Sequence, residues 1–465
     1  MTRTLPEKTG WRRLLPSGRS GTGHDGPSAV LSGKPGPAAT RLRVATGTAD
    51  PGHDPAAHGC IAPIDVRAEL CSYVATLTGD EGTAFASAIS RIELGEPIWS
   101  FTGRAREQRM IATWLRRRGA GMLVVTGEAG AGKSALLANV LCHTDPALNT
   151  PLTAAGWLAP VEEASRPPVA EFTTALHLAG LTVSTTVDRI AEVTNLGVPP
   201  GHVEPSRAVD WLIDRLRDRR PPVTLLLDGL DESAEPMAIA GCVLRRIASL
   251  PHSRVVVGTR PSTLGDAERA AHPNENLLDT LGRSTSVVIV RVEPDFDAVA
   301  RFARLRLNDA RVGGLDIDDA DITAVSDLIG QHSLGYLFAR LAIVEVLAHP
   351  ELLTPRYRDE LTHALSGGVP GLFHRAVRRL TAVSAAAGPL LSALAIAGGR
   401  GLPRAGAVWS TVATALAADG HASTEQDIDW LLDAAAPYIM RDVEDGQPVY
   451  RLAHRSLREH WPVPF

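Results

Sequence analysis

The spacing of apolar residues changes character several times along the chain. Residues 1–60 are rich in Gly, Pro, Ser and Thr and show little periodicity, which predicts a disordered N-terminal segment. Val66, Leu70, Val74 and Leu77 then recur at helical spacing, predicting a short helical lead-in over 61–97. A further amphipathic helix runs through Leu115. Five short apolar, β-branched runs follow, at 122–126, 172–178, 223–227, 254–258 and 286–290. Helix-forming stretches at 135–142, 183–193, 208–217 and 237–250 alternate with them. Buried strands separated by helices predict a three-layer α/β domain with a five-stranded, mainly parallel sheet. Beyond about residue 295 the strand pattern stops. Helical period marks 297–307, 319–329 and 335–349, and a second all-α region covers about 358–432. Two short β runs, 438–440 and 449–452, flank an Asp445-Gly446 turn, so the chain closes on a hairpin after helices, the order of a winged-helix module. No internal repeat of fixed period is present.

The junction after the first strand carries the sharpest chemistry. Gly127, Glu128, Ala129, Gly130, Ala131, Gly132, Lys133 and Ser134 form the pattern G-x-x-x-x-G-K-[ST] between a predicted strand and a helix that continues from Ala135. Glycines allow successive backbone N–H groups to turn inward around phosphate oxygens, and the helix N-terminus adds a favourable dipole. Lys133 supplies a compact cation to the β- and γ-phosphates, and the Ser134 hydroxyl suits Mg²⁺. The chain contains three lysines, Lys8, Lys34 and Lys133, and uses arginine everywhere else. Lysine is therefore kept where a point charge suits and a guanidinium fork does not.

The apolar run 223–227 ends in Asp228-Gly-Leu-Asp231-Glu232. A carboxylate at the C-terminal end of a buried strand sits in the crevice where open α/β sheets bind ligands. Asp228 is accordingly the candidate partner of Mg²⁺, together with Ser134. Asp231 and Glu232 are candidates to orient or deprotonate an attacking water. Arg260, in Gly258-Thr-Arg-Pro261 at the end of the next strand, is a candidate sensor of the γ-phosphate; a surface arginine in a turn is the alternative.

Composition narrows the classes. A net charge of −5 gives no general case for nucleic acid or an anionic membrane. The cluster Arg116-Arg-Arg118 is explained by the dipole of the helix it ends. Cys60, Cys71, Cys142 and Cys242 lack C-x-x-C spacing, which fits a reducing interior rather than a zinc site or disulfide framework. His53, His58 and Cys60 lie close together but lack a fourth ligand. No signal-peptide pattern opens the sequence, and no apolar run reaches membrane-spanning length, so a cytoplasmic protein is expected. Scarce lysine in an Ala- and Arg-rich chain suggests a GC-rich bacterial genome.

Taken together, the motifs resemble the STAND class of AAA+-related P-loop ATPases, nearest to its NACHT-type branch. Phe101-x-Gly103-Arg104-x-x-Glu107 resembles the motif that opens the family's core and wraps the adenine. Gly127 to Ser134 resembles its phosphate loop, Leu227 to Glu232 its acidic motif, and Thr259-Arg260-Pro261 its sensor arginine. Tyr450-Arg-Leu-Ala-His454-Arg-Ser-Leu-Arg-Glu459 resembles the winged-helix segment whose histidine touches the β-phosphate of ADP. By that match His454 has this role; taken alone, a histidine at a strand–helix junction is structural. The resemblance departs at Ala105, where an acidic residue is common, and at Gly335-Tyr336-Leu337, where many relatives have Gly-x-Pro.

The resemblance implies a P-loop NTPase core over 98–293, a helical lid over 294–356 and a winged-helix domain over 357–465. It implies ATP or ADP with Mg²⁺, an ADP-closed and ATP-open switch with slow hydrolysis, and self-association in the ATP form. Effector and sensor domains usual in the class are not evident, which leaves three readings: a shortened member, one with such partners in trans, or an incomplete gene product. The alternative is an AAA+ ATPase of the origin-recognition type that uses its winged helix on DNA. Asp442, Glu444 and Asp445 at the hairpin argue against it, and Arg451, Arg455 and Arg458 partly offset them.

Overall fold

The computed structural model describes residues 101–461 except 102, 118, 155–157, 159, 170, 200–203, 262–275, 283–285, 313, 334, 398–400, 419, 445–446 and 460. The expected disordered segment 1–60, the lead-in 61–97, the His53–His58–Cys60 grouping and Asp445 lie outside the described residues.

The first helix, α1 (Ala105–Arg116), buries Gln108, Ile111, Ala112 and Leu115 at helical spacing. Strand β1 (Gly121–Thr126) leads through the glycine loop into α2 (Lys133–Thr144), followed by α3 (Pro146–Ala154). Then come β2 (Thr174–His177), α4 (Val183–Val193), α5 (Pro205–Asp218) and β3 (Thr224–Asp228). Helix α6 opens as Pro236–Ala238, widens to a π-turn over Ile239–Leu244 and closes as Arg245–Ala248. Strand β4 (Arg254–Thr259), α7 (Leu277–Leu281) and β5 (Val287–Arg291) complete this half.

The five strands lie in the order β2-β3-β4-β1-β5, all parallel. Alternation along each strand feeds two separate cores, as a two-sided sheet requires. Leu123, Val125, Leu226 and Val256 pack with residues of α1 and α2 on one face. Met122, Val124, Leu225, Leu227, Val255 and Val257 pack with α4, α5, α6 and α7 on the other. This is the expected three-layer α/β core. The strand expected over 172–178 is shorter than its apolar run, and α3 carries no strong periodic signal because Pro151 interrupts it.

The second half is helical: α8 (Phe296–Val312), α9 (Asp319–His332), α10 (Tyr336–Ala348), α11 (Arg358–Ser366), α12 (Gly368–Val383) and α13 (Ala387–Ile396). After β6 (Leu402–Pro403) come α14 (Val408–Leu416) and α15 (Glu425–Ala434). The expected hairpin is present as β7 (Ile439–Glu444) and β8 (Gln447–Leu452), followed by α16 (Arg455–Glu459). It pairs antiparallel from Ile439↔Leu452 to Glu444↔Gln447, and β6 adds a short third strand beside β8. Two residues, one of them proline, give β6 no readable sequence pattern. Buried apolar residues from Val299 to Trp461 form one continuous cluster. Among the described residues, no helix is long and apolar enough to cross a membrane.

Candidate nucleotide site

Sheet order places the candidate residues. Because β4 lies between β1 and β3, the residue after β4 falls between the glycine loop after β1 and the acidic turn after β3. The C-terminal ends of these parallel strands form one edge, with the loop, Asp228 to Glu232 and Arg260 on it.

The loop itself is built by backbone geometry. Gly130 and Gly132 have φ of +70° and +92°, the left-handed region that a side chain resists. Gly132 caps α2, so Lys133 and Ser134 stand in the first turn of that helix, with Ala135 behind them. The Lys133 ammonium folds back and donates to the carbonyls of Gly127 (2.8 Å) and Glu128 (2.9 Å). Burial pulls its pKa below the ordinary lysine value; Asp231, Asp228 and Glu232 oppose that, and Arg260 adds to it. All four groups are therefore within electrostatic reach of Lys133. Lysine and acidic turn, 95 positions apart in sequence (133 and 228), meet on one edge.

Asp228 is seated over Gly258 of β4. A β-carbon there would lie 2.5 Å from Asp228 Oδ1 and 2.7 Å from Leu137 Cδ1 of α2, so glycine is what lets the carboxylate sit between the strands. Asp231 is buried in the 3₁₀ turn Leu230–Glu232. Its Oδ1 accepts the backbone N–H of Arg260 (3.0 Å), and its Oδ2 lies 3.3 Å from Arg260 Nε. Burial pushes the Asp231 carboxyl above its ordinary value, Glu232 adds to this, and Arg260 and Lys133 pull it back down.

Arg260 is thus an interior residue of the site, its side chain only 12% exposed, which corrects the surface-arginine alternative. Its Nη2 is buried with no acceptor among the described residues. An orphaned guanidinium N–H beside Lys133 fits a phosphate oxygen, the ligand the donor set of this edge is suited to. Ser134 and Asp228 are the residues that would hold Mg²⁺; the described residues contain no cluster of three or more His, Cys, Asp or Glu fit for a protein-only metal site. A phosphate-bridged ion that keeps water ligands needs only one or two protein groups.

The motif that opens the core braces the loop from the side. Phe101 packs on the core beneath β1 and α2. Arg104 is buried with φ of +60°; its Nη2 donates to the carbonyl of Ala131 in the loop (2.9 Å), and its Nη1 donates to the carbonyl of Glu293. The same guanidinium stands 5.6 Å from the ring of Tyr336. Helix α10 starts against the loop: Leu337 Cβ lies 2.7 Å from where a Gly130 β-carbon would be, and the Tyr336 ring borders Gly132 and Gly103. In Gly335-Tyr336-Leu337 the tyrosine covers the ground between loop and Gly103, and leucine stands at the proline position of Gly-x-Pro.

His454 is placed at the start of α16, where its Nδ1 accepts the N–H of Ser456 (3.1 Å). Its neighbour Arg455 contacts the acidic turn. Arg455 Nη1 donates to the carbonyl of Asp231 (2.8 Å) and lies 3.6 Å from Asp231 Oδ2; Arg455 Nε donates to Glu459 Oε1 (2.7 Å). Glu459 Oε2 in turn lies 3.4 Å from Arg260 Nη1. Two further residues stand at this edge that the sequence does not single out individually. Glu459 was only part of a motif, and His177 was only a strand residue. His177 ends β2 in register with Asp228; its Nδ1 is 2.9 Å from the Asp228 carbonyl and its Nε2 3.7 Å from Glu232 Oε2. A polar side chain at the C-terminal end of a buried strand, the signal that picked out Asp228, also marks His177.

Of the arginine cluster, Arg116 donates to the carbonyls of Ala164 (3.0 Å), Glu163 (2.6 Å) and Arg166 (2.7 Å).

Residues 100–257 match the family profile of the AAA ATPase domain. The chain thus carries an AAA-type, P-loop ATPase domain. No curated protein matches it in sequence. Among solved structures, it is similar to a Signal Transduction ATPase with Numerous Domains (STAND) protein with a tetratricopeptide repeat sensor from Pyrococcus horikoshii. Identity is 14% and the TM-score 0.42, covering 78% of this chain and 42% of the other. The chain therefore spans less than half the length of that protein. It is also similar to the Walker-type ATPase of Pyrococcus abyssi (16% identity, 78% and 96% coverage, TM-score 0.32). A third is the Orc1 protein of Aeropyrum pernix in complex with DNA (16%, 77% and 91%, 0.34). Likeness this distant says nothing about partners or activity.

Proposed function

We propose that the chain is an ATP-binding, slowly hydrolysing signalling switch of the STAND class, closed with ADP and open with ATP, whose open form self-associates. The observation that carries this reading is the docking of α16 on the acidic turn and on Arg260, so that the C-terminal end of the chain and the phosphate-facing edge of the sheet are one structure. In this reading 98–293 is the nucleotide core, 294–356 the lid and 357–465 the winged-helix domain. Gly127 to Ser134 cradle the phosphates, Phe101, Gly103 and Arg104 border the nucleoside, and Asp231 and Glu232 orient water. Mg²⁺, held by Ser134 and Asp228, neutralises phosphate charge when bound. A switch needs differential affinity for its two states, about 5.5 kcal/mol for full reversal, and a contact shared by both halves is where that difference can arise.

The test is to identify the co-purifying nucleotide and size the protein with ADP and with a non-hydrolysable ATP analogue. A larger species with the analogue supports the switch; one unchanged size with either overturns it. Lys133→Ala should lose about 1.5–3 kcal/mol of nucleotide binding, one charged hydrogen bond's worth. The DNA-binding alternative calls for exposed cations on the C-terminal segment. Arg451 is buried and Arg455 is engaged with Asp231 and Glu459, which favours the switch. Salt-dependent binding of duplex DNA would favour the alternative.

A further inference from the structure

Four charges from the two halves of the molecule interlock at one point: Asp231 and Arg260 from the strand ends, Arg455 and Glu459 from α16. Arg260 is held between two carboxylates, and these are unequal. Asp231 is 3% exposed, fixed in the buried 3₁₀ turn and bonded to the Arg260 backbone. Glu459 is 27% exposed and ends a helix of five residues. Of the two anions on Arg260, Glu459 is the one that can leave. Arg260 Nη2, buried and without an acceptor among the described residues, sits on the same guanidinium and is within electrostatic reach of Lys133.

We propose that Glu459 is the resident anion on Arg260 and that the terminal phosphate of a nucleoside triphosphate takes its place, so that this carboxylate sets how strongly the site prefers diphosphate over triphosphate. The proposal rests on the nucleotide-site reading above. A terminal phosphate reaching Arg260 brings additional negative charge close to the Glu459 carboxylate. Like charges repel there, and Arg260 gives its better bidentate match to the phosphate. A diphosphate brings no such charge and leaves the Glu459–Arg260 pair standing. Arg455 is a positioning residue: its Nε holds Glu459 Oε1 while its Nη1 holds the Asp231 carbonyl, so it aims the carboxylate at Arg260 and ties α16 to the turn.

The experiment measures dissociation constants of the full chain for ADP and for a non-hydrolysable ATP analogue, each with Mg²⁺. Parent, Glu459→Gln, Glu459→Asp, Arg260→Ala and the Glu459→Gln/Arg260→Ala pair are compared. Glu459→Gln should tighten the triphosphate analogue about tenfold and leave ADP within about twofold, a coupling of ordinary allosteric size. Glu459→Asp should fall between it and the parent, and the Glu459→Gln effect should vanish in the Arg260→Ala background. Equal shifts for both nucleotides, no shift, or an effect that survives without Arg260 overturns the assignment of Glu459 while leaving the nucleotide site intact. A parent that binds neither nucleotide overturns both.

Discussion

Two of the buried charge clusters among the described residues are built to different standards. In the helical half, Glu345 of α10 is 2% exposed; its Oε1 accepts from Arg375 Nε and its Oε2 from Arg379 Nη1, both of α12 and both at 2.7 Å. Each carboxylate oxygen has a charged donor. At the strand ends, Asp231 also faces two arginines, yet its Oδ2 has no hydrogen bond among the described residues, and neither has Arg260 Nη2. A completed network in a low dielectric rigidifies the elements that make it; an incomplete one keeps polar capacity for another group. The first cluster fixes α10 to α12. The second leaves polar capacity at the strand ends, which the proposed switch would use.

The sharpest way to break this comparison is to cut each cluster once and read stability. Glu345→Ala strands two arginines beside a closed core and should cost about 3–5 kcal/mol. Asp231→Asn keeps its shape and one acceptor, and removes a charge that burial already disfavours. It should cost about 1–2 kcal/mol. Equal losses on thermal or urea melting would mean the two clusters do the same job.

Gly258→Ala comes next. The new methyl would overlap Asp228 Oδ1 and Leu137 Cδ1, and overpacking of this kind costs about 1–3 kcal/mol. It should also weaken nucleotide binding more with Mg²⁺ present than with chelator. Titrations with and without the ion check this, and an equal loss in both would remove Asp228 from the metal's partners.

The smallest effect concerns Cys142 on α2, behind the loop. Burial, with Asp145 adding to it, pushes its thiol up to about 12. The neutral thiol is favoured in the folded state, so its share of stability is full below the ordinary thiol range and is lost as pH rises toward that value. In a Cys60→Ser/Cys71→Ser background at about pH 9, where an ordinary thiol is largely ionised, a thiol reagent should label exposed Cys242 rapidly and Cys142 only on unfolding. Rapid labelling of both would show the helix behind the loop to be loosely held.

What sequence could show follows the range of the interactions. The unit from β1 through the loop to α2 is local: an apolar run, glycines that need positive φ, and a helix starting at Lys133, so pattern and structure agree. Asp228 and Arg260 were legible because polar residues after buried strands point to one edge of a parallel sheet. Their relation was not. Only the strand order puts β4, and so Arg260, between loop and acidic turn. The Arg455–Asp231 contact joins residues 224 positions apart, and no periodicity links them. His454, singled out by resemblance, accepts the N–H of Ser456 at the start of α16, and Arg455 beside it reaches the Asp231 carbonyl. Arg104 stands out by its place in the opening motif, while its bonds to the Ala131 and Glu293 carbonyls join residues far apart in sequence.

One feature of the helical half bears on how such a joint could open. Leu352 and Leu353, before the expected division at 356/357, share a single apolar cluster with Leu361 and Leu365 after it and with Leu457 and Trp461 near the end. Among the described residues the apolar cluster is continuous across that division. In the proposed switch, parting α16 from Asp231 would carry α8 to α15 with it and would also take the start of α10 off the glycine loop, with the short crossing between β5 and α8 as pivot. There Val292 still holds the carbonyl of Thr126 (2.7 Å) and Asp295 caps α8 through the N–H of Ala298 (2.9 Å). A few degrees of rotation at that pivot would sweep the far end of the arm through a much longer arc.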